Sequence, residues 1–306
     1  MHYSLQSDWV IIIPTLNRPD EIVRTLRWLM KCKTQPVAIY IIDQSKERNN
    51  EIENDFCPNY NTIHYIFIGY PLGSGKARNY LLNKISSKYI LFLDDDVHSD
   101  NPDLDLIELY ANQFKENRCI TYIDGGYFPT EINKNFNREA IINLKQGGGF
   151  INLLTTTYNN PTEIVRPTIG LTAGNFAIKT TVFDIVNGFD ERFGLGEDRE
   201  LGFRLWCLGY VGVNNKLCRL IHRKAPNGGI RNSKKKIINS TDPLIFLFGF
   251  ENFPKAIVKL ERKYLVLRYG KQLSLFNIRK SIYAFLKVIS VYRAYYKAYR
   301  MYLKME

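Results

Sequence analysis

The stretch Tyr89-Ile90-Leu91-Phe92-Leu93-Asp94-Asp95-Asp96 decides the fold. Five apolar residues, too few for a core helix, run without a break into three carboxylates. A short apolar run bounded by polar residues predicts a strand buried on both faces, as in a parallel sheet. Three earlier runs have the same character. Trp9-Val10-Ile11-Ile12-Ile13 ends at Pro14, Val37 to Ile42 ends in Asp43-Gln44-Ser45, and Thr62 to Ile68 ends at Gly69. Helices are expected between them. Pro19 is a good first helical residue, Asp20 and Glu21 suit the first turn, and Ile22, Leu26, Leu29 and Met30 recur at helical spacing. A second helix is expected over roughly Ser74 to Ile85. This β-α-β rhythm predicts an α/β protein with a Rossmann-like, mostly parallel sheet flanked by helices.

Such sheets bind ligands beyond the carboxyl ends of their strands. Asp43 and the Asp94–Asp96 run are both expected there. Three adjacent carboxylates repel one another unless a cation is close, and hard divalent cations prefer carboxylate oxygens. Asp94 and Asp96 can divide the work, one facing a nucleotide sugar and one a metal; a solvated acidic turn is the competing reading. Further along, Asp190-Glu191-Arg192-Phe193-Gly194-Leu195-Gly196-Glu197-Asp198 delivers two carboxylates to the start of a helix expected over Asp198 to Leu208. A helix N-terminus favours an ionised carboxylate, which suits a base; an N-cap at Asp198 with Glu197 exposed is the alternative. His222, after a strand expected near Leu217 to Ile221, is a candidate second metal ligand beside Asp96, with His98 as its rival.

Gly69-Tyr70-Pro71-Leu72-Gly73-Ser74-Gly75-Lys76-Ala77 is not a phosphate-binding loop of the G-x-x-x-x-G-K-[ST] type. Tyr70 stands where the first glycine belongs, and Ala77 where Ser or Thr belongs. Its glycines and the following Lys76-Ala77-Arg78-Asn79 still suit a helix start near phosphate. Gly125 to Pro167, rich in Gly, Asn and Thr, reads as loops with short elements. Ala225-Pro226-Asn227-Gly228-Gly229-Ile230-Arg231 reads as a lid or an ordinary surface loop; Gly228 and Gly229 permit hinge-like changes and Arg231 is placed to reach a diphosphate.

The chain has 306 residues, 45% hydrophobic and 24% charged, and a net charge of +12. From Asn252 to Glu306 there are 13 Lys and Arg against 2 Asp and Glu, so the remainder, with 29 basic and 28 acidic residues, is close to neutral. The charge therefore belongs to a basic tail and implies an anionic surface as its partner, not nucleic acid on the body of the protein. In the tail Ile278, Ile282, Phe285, Leu286, Ile289 and Tyr292 form a helical stripe among Arg and Lys. It suits either an anionic bilayer or packing on the domain. No run is long enough to cross a membrane, the N-terminus lacks signal-peptide character, and the five cysteines read as free thiols of a reducing compartment.

Together these pieces resemble the family 2 inverting glycosyltransferases of the GT-A fold. The resemblance runs from Trp9 to His222 and rests on Ile11-Ile12-Ile13-Pro14-Thr15-Leu16-Asn17-Arg18, Ile41-Ile42-Asp43-Gln44-Ser45, Gly75-Lys76-Ala77-Arg78-Asn79, Leu93-Asp94-Asp95-Asp96-Val97, Asn187-Gly188-Phe189-Asp190-Glu191 and Glu197-Asp198-Arg199-Glu200-Leu201. It implies transfer of a sugar from a nucleotide-diphosphate sugar, a UDP-sugar by preference, to a saccharide or lipid-linked saccharide, with Mn²⁺ or Mg²⁺ as cofactor. Thr15 and Asp43 would contact the base, Arg78 the diphosphate, and Asp94 the ribose or base. Pro14, Asn17, Arg18, Lys76 and Asp95 join that nucleotide-sugar set. Asp96 and His222 would hold the metal. Asp198 would be the general base, with Glu197 supporting the acceptor side. Gln44 departs from the Asn or Gly usual after that aspartate. The implied organisation is a GT-A domain over residues 1–240, with its nucleotide-binding half at about 8–100 and acceptor half at about 101–240, and a basic helical extension over 241–306. A cytoplasmic protein, peripheral at the inner face of the membrane, is expected. A sugar nucleotidyltransferase would want a Gly-rich basic first loop, which Pro14-Thr15-Leu16-Asn17-Arg18 is not; a non-catalytic nucleotide-sugar binder is the remaining alternative.

Overall fold

The computed structural model describes residues 7–128, 164–168, 170–193, 196–229, 246–247, 249, 251, 255–271 and 278–304. These form two compact units, one of residues 7–128 with 164–229 and one within 246–304. The expected boundary at residue 240, most of the expected loop region and Arg231 lie outside the described residues.

The first unit is built on β1 (Ser7–Thr15), β2 (Pro36–Asp43), β3 (Ile63–Phe67), β4 (Tyr89–Leu93), β5 (Val97–His98), β6 (Ile120–Asp124), β7 (Val165–Pro167), β8 (Asn175–Lys179), β9 (Val211–Asn215) and β10 (Ile221–His222). Its helices are α1 (Pro19–Leu29), the single turn α2 (Cys57–Asn59), α3 (Ser74–Asn79), α4 (Leu106–Glu116), α5 (Thr180–Ile185) and α6 (Glu197–Cys207). Eight strands form one sheet in the order β3-β2-β1-β4-β8-β6-β9-β7, while β10 and β5 make a small separate ladder. The β3-β2-β1-β4 half is parallel throughout, as expected; β8 then runs antiparallel to both β4 and β6.

Alternation along β1 explains why both faces of this sheet are covered. Ile11 and Ile13 point into one core with Ile22 and Leu26 of α1 and Tyr110 of α4. Val10 and Ile12 point into the other, with Ala77 of α3, Phe183 of α5, and Leu201 and Leu205 of α6. All four β1 residues are buried, and burying each such side chain contributes about 1.5–3 kcal/mol. The register does the rest. Thr15 pairs with Asp43, Ile12 with Phe92, and Leu93 with Asn175. The carboxyl ends of β1, β2 and β4 and the amino end of β8 therefore share one edge.

Three elements differ from the sequence expectation. The helix expected to reach Ile85 ends at Asn79, followed by a 3₁₀ turn over Leu82–Lys84. Asn79 is tied sideways there: its Nδ2 donates to the Phe189 carbonyl (2.8 Å) and its Oδ1 accepts from the Phe189 N–H (2.9 Å). The strand expected near Leu217 to Ile221 is a 3₁₀ turn followed by the two-residue β10. Before it lies β9, whose Val-Gly-Val-Asn-Asn pattern shows no strand periodicity. A Cβ on Gly212 would sit 1.9 Å from the Tyr122 ring, and Asn214 and Asn215 are buried donors to Asp124 and Gln113. Close backbone approach and buried hydrogen bonds hold this strand, not an apolar stripe.

The second unit contains α7 (Lys255–Gly270) and α8 (Ile278–Tyr302). They run antiparallel, with Lys255 over the Tyr302 ring and the Arg262 guanidinium 4.5 Å above that of Tyr295. Among the described residues no helix is long and apolar enough to cross a membrane.

One buried residue joins the loops at the shared edge. Asn175 accepts from the Tyr110 hydroxyl (2.8 Å) and donates to the carbonyls of Gly126 (2.8 Å) and Cys218 (2.8 Å), with no exposed surface. Asn175→Ala removes these three buried side-chain hydrogen bonds, so it should lower the unfolding free energy by about 2–4 kcal/mol in urea titration. A loss below about 0.5 kcal/mol would show that the junction is not structural.

Candidate functional site

The shared edge opens into a cleft of about 330 Å³ whose lining includes Pro14, Thr15, Arg18, Arg78, Asp94, Asp95, Glu197, Asp198, His222 and Gly229. The acidic run enters it from the end of β4, and each carboxylate has its own partners. Asp94 accepts from Arg78 Nη2 (3.0 Å) and from the Tyr127 hydroxyl (2.8 Å). Burial and the neighbouring Asp94 hold Tyr127 well above its ordinary pKa, so it remains a neutral donor. Asp95 turns back into the protein, where it accepts from the Thr15 hydroxyl (2.7 Å) and Arg18 Nη1 (2.8 Å). Burial pushes Asp95 up to about 6 against the pull of Arg18. Asp96 is fully buried. Its Oδ2 accepts from the Ala225 N–H (2.9 Å), and its Oδ1 faces His222 Nε2 at 2.9 Å. Burial alone would raise Asp96, but His222 and the Ala225 N–H outweigh it and hold it at about 2.

Asp94, Asp96 and His222 each offer one ligand atom, all within 4.8 Å of one another. Asp96 Oδ1 is buried and receives no well-directed hydrogen bond despite its nearness to His222. Two carboxylates and an imidazole suit a hard or borderline divalent cation. Neighbouring ligands of an octahedral ion with bonds of about 2.0–2.1 Å lie about 2.9 Å apart, as the oxygen of Asp96 and nitrogen of His222 do. The residues therefore fit a divalent cation. His98, the rival ligand, pairs with Asp100 on the outer side of the β5–β10 ladder.

Glu197 and Asp198 open α6, but neither caps it. The N-cap is Gly196, with φ of +86° and no side-chain cap bond. Glu197 is buried instead of exposed: it accepts from Arg78 Nη1 (3.0 Å) and the Ser74 hydroxyl (2.5 Å). Burial and the adjacent Asp198 raise its pKa, with Arg78 and Ser74 opposing. Asp198, half-buried, accepts from the N–H groups of Ala173 (3.1 Å) and Arg199 (2.8 Å) and lines the cleft. Arg78 thus spans the site, joining Asp94 to Glu197.

Three expected ligand contacts, Lys76, Asp43 and Asn17, lie outside the cleft lining. Lys76 is exposed and outside the cleft, because the helical turn that brings Arg78 inward carries Lys76 outward. Asp43 is buried behind the cleft, where it accepts from the Tyr65 hydroxyl (2.7 Å) and the Ser45 N–H (2.8 Å). Asn17 shapes the turn after β1 with φ of +53°, and its N–H donates to Ser45 Oγ. Asp95 clamps β1 to Arg18. Gly228 and Gly229 are docked on the turn after β1, and the Gly229 N–H donates to the Leu16 carbonyl (2.7 Å). A Cβ on Gly228 would lie 2.3 Å from the Asn17 carbonyl, and one on Gly229 would lie 2.7 Å from the Arg18 guanidinium.

Sequence reasoning missed Tyr127, Gly174, Ser74 and Asp124. Gly174 carries the clearest signal, although only in three dimensions: a Cβ there would fall 1.7 Å from the Tyr127 hydroxyl and 2.1 Å from Asp94. Gln44, unusual after Asp43, accepts from the N–H groups of Leu72 (2.8 Å) and Gly73 (3.0 Å) and so anchors the loop before α3.

An α/β sheet whose strand ends present an acidic run, an imidazole and a carboxylate at a helix start has the layout of a GT-A-type fold with its candidate site at that edge. The Glycosyl transferase family 2 model matches residues 10–179, and the chain belongs to that family. Glu197, Asp198 and His222 lie beyond the matched stretch. Two solved structures share the fold. One is the mannosyltransferase PcManGT from Pyrobaculum calidifontis in complex with GDP-Man and Mn²⁺, with a TM-score of 0.56, 10% identity, and coverage of 95% of this chain and 74% of that one. The other is GalNAc-T7 with UDP, GalNAc and Mn²⁺, with a TM-score of 0.51, 16% identity, and coverage of 72% of this chain and 44% of that one. No curated protein sequence matches significantly.

Asp124 supports the loop that carries Ala173. It accepts from the Thr172 N–H (2.8 Å) and from Asn214 Nδ2 (2.7 Å), and burial pushes it up to about 6 against those bonds. A folded-state value above the ordinary 3.8 means that the proton favours the fold. Its contribution is complete below about pH 4 and is lost as pH rises to about 6. Asp124→Asn should therefore flatten the fall in stability across that window. Asn214, whose Oδ1 has no partner, can turn its amide to accept the new N–H. Urea melts at pH 4, 5 and 6.5 read the slope, and an unchanged slope would contradict the assignment.

Proposed function

We propose that this glycosyltransferase moves a sugar from a nucleotide-diphosphate sugar to an acceptor hydroxyl with inversion, using a divalent cation. The observation that carries the reading is convergence: Asp94 and His222 line the same cleft as Asp198, and each offers a ligand atom within 4.8 Å of one from the buried Asp96. The nucleotide lies along Pro14, Thr15, Leu16 and Gln44, with its diphosphate towards Arg18 and Arg78. Asp94, Asp96 and His222 would hold Mn²⁺ or Mg²⁺, which when bound would supply positive charge against the departing diphosphate. Arg78 adds a fixed positive charge beside that group and needs no rearrangement, because Asp94 and Glu197 already hold it in place.

Asp198 acts as the general base. The Ala173 and Arg199 N–H groups donate to its carboxylate and hold it where it lines the cleft. The acceptor hydroxyl gives its proton to Asp198 as it attacks the anomeric carbon from the side opposite the diphosphate, so configuration inverts. A UDP-sugar is the favoured donor. GDP-sugars belong in the same screen, because PcManGT was solved with GDP-Man and GalNAc-T7 with UDP. The acceptor is a saccharide or lipid-linked saccharide of a surface polysaccharide or glycoconjugate. The protein works in the cytoplasm, peripheral at the inner face of the membrane, with its basic tail towards anionic lipid. The Gly228–Gly229 segment, docked on the turn after β1, borders the donor cleft.

Asp198→Asn should lower kcat by about 10²–10⁴-fold while the nucleotide-induced rise in Tm persists. Equal loss of both would remove Asp198 from the base role. Proton NMR of the wild-type product should show the anomeric configuration opposite to that of the donor, and retention would end the in-line mechanism.

A further inference from the structure

Helix α8 has two apolar stripes, and one of them faces out. Ala284, Val291, Ala294 and Ala298 recur at intervals of seven, three and four residues and are buried. Ile282, Phe285, Ile289, Tyr292 and Tyr296 follow the same kind of interval about half a turn away, with Leu286 beside them. Of these, Phe285 is 57% exposed and Ile282 and Leu286 55%, while Tyr292 and Tyr296, partly exposed, also lie beside the Arg262 guanidinium of α7. A helix that only packed within a soluble unit would place polar side chains there. Contiguous exposed apolar side chains mark a surface that meets something else.

The surroundings of the stripe identify its partner. Arg293, Lys297 and Arg300 are exposed along its flank, and α8 contains no acidic residue. The side chains are large and aliphatic or aromatic, with tyrosine hydroxyls and arginine heads able to reach water from an apolar body. The stripe from Ile282 to Tyr296 extends for about 21 Å at 1.5 Å per residue. The helix is not apolar enough to cross a bilayer. This combination suits a helix lying in the interface plane of an anionic bilayer: apolar side chains enter the headgroup–acyl boundary, and the basic flank meets lipid phosphates. A stripe flanked by cations with no acidic residue on the helix complements an anionic lipid surface.

We propose that the outer face of α8, centred on Phe285 and Leu286, is a docking face for anionic membrane. The inference rests on the peripheral reading given above and assigns it to particular side chains. It would hold the enzyme at the surface on which a lipid-linked acceptor resides.

Flotation of the full-length protein with phosphatidylglycerol-containing vesicles, against pure phosphatidylcholine vesicles, tests it. The wild type should float with the anionic vesicles. Phe285→Ser with Leu286→Ser should weaken that binding by about tenfold or more, and Arg293→Glu with Lys297→Glu should weaken it and reduce its salt dependence. Both pairs should keep the Tm rise given by UDP with Mn²⁺, which shows that the catalytic unit is intact. No flotation of the wild type, or full flotation of the Phe285/Leu286 variant, would overturn the proposal. So would a wild-type dimer in light scattering that this variant makes monomeric, since the stripe would then be a subunit interface. Failure of the wild type to respond to any nucleotide diphosphate would strike the donor reading alone and leave the flotation result standing.

Discussion

Three consecutive carboxylates at the end of a buried strand are the constraint on which the rest of the structure depends. Left together in a low-dielectric edge they would repel one another and protonate. The fold separates them instead. Asp94 goes to Arg78 and Tyr127, Asp95 to Thr15 and Arg18, and Asp96 to His222 and the Ala225 N–H. Each partner comes from a different part of the chain, so satisfying the run also gathers the turn after β1, helix α3, the loop after β6 and the β10 segment around one point. The two arginines neutralise part of the charge. The Asp94–Asp96–His222 side remains suited to a cation.

The same logic extends outward. Arg78 cannot face Asp94 unless α3 is short and held, which Asn79 and Gln44 accomplish through backbone contacts. Asp198 faces the cleft because Gly196 lets the chain turn into α6 and because the Thr172–Ala173 loop is pinned by Asp124. Gly174 permits an approach that no side chain would allow. The parallel half of the sheet supplies rigid strand ends, and the antiparallel β8 brings its amino end to the same edge.

Much of this was legible in the sequence, for definite physical reasons. Short apolar runs ended by Pro14, Asp43 and Asp94 identified three parallel strands, since burial on both faces leaves that pattern. Charge chemistry placed Asp96 and His222 as candidate partners across 126 positions of chain, and the structure brings them to 2.9 Å. Strand β9 was not legible because its stability comes from Gly212 fitting against Tyr122 and from two buried asparagines. The division of labour within the acidic run was not legible either. Asp95 looks like its neighbours in one dimension, but the turn between β4 and β5 points it towards Thr15 and Arg18. Lys76 and Arg78 differ in the same way, through helical phase alone.

A Mn²⁺ titration followed by electron paramagnetic resonance, in the presence of UDP, tests the division of the acidic run most directly. One tight Mn²⁺ site is predicted for the wild type, lost in Asp96→Asn and His222→Ala and retained in Asp95→Asn. Retention of the site in Asp96→Asn and His222→Ala, or its complete loss in Asp95→Asn, would contradict the account.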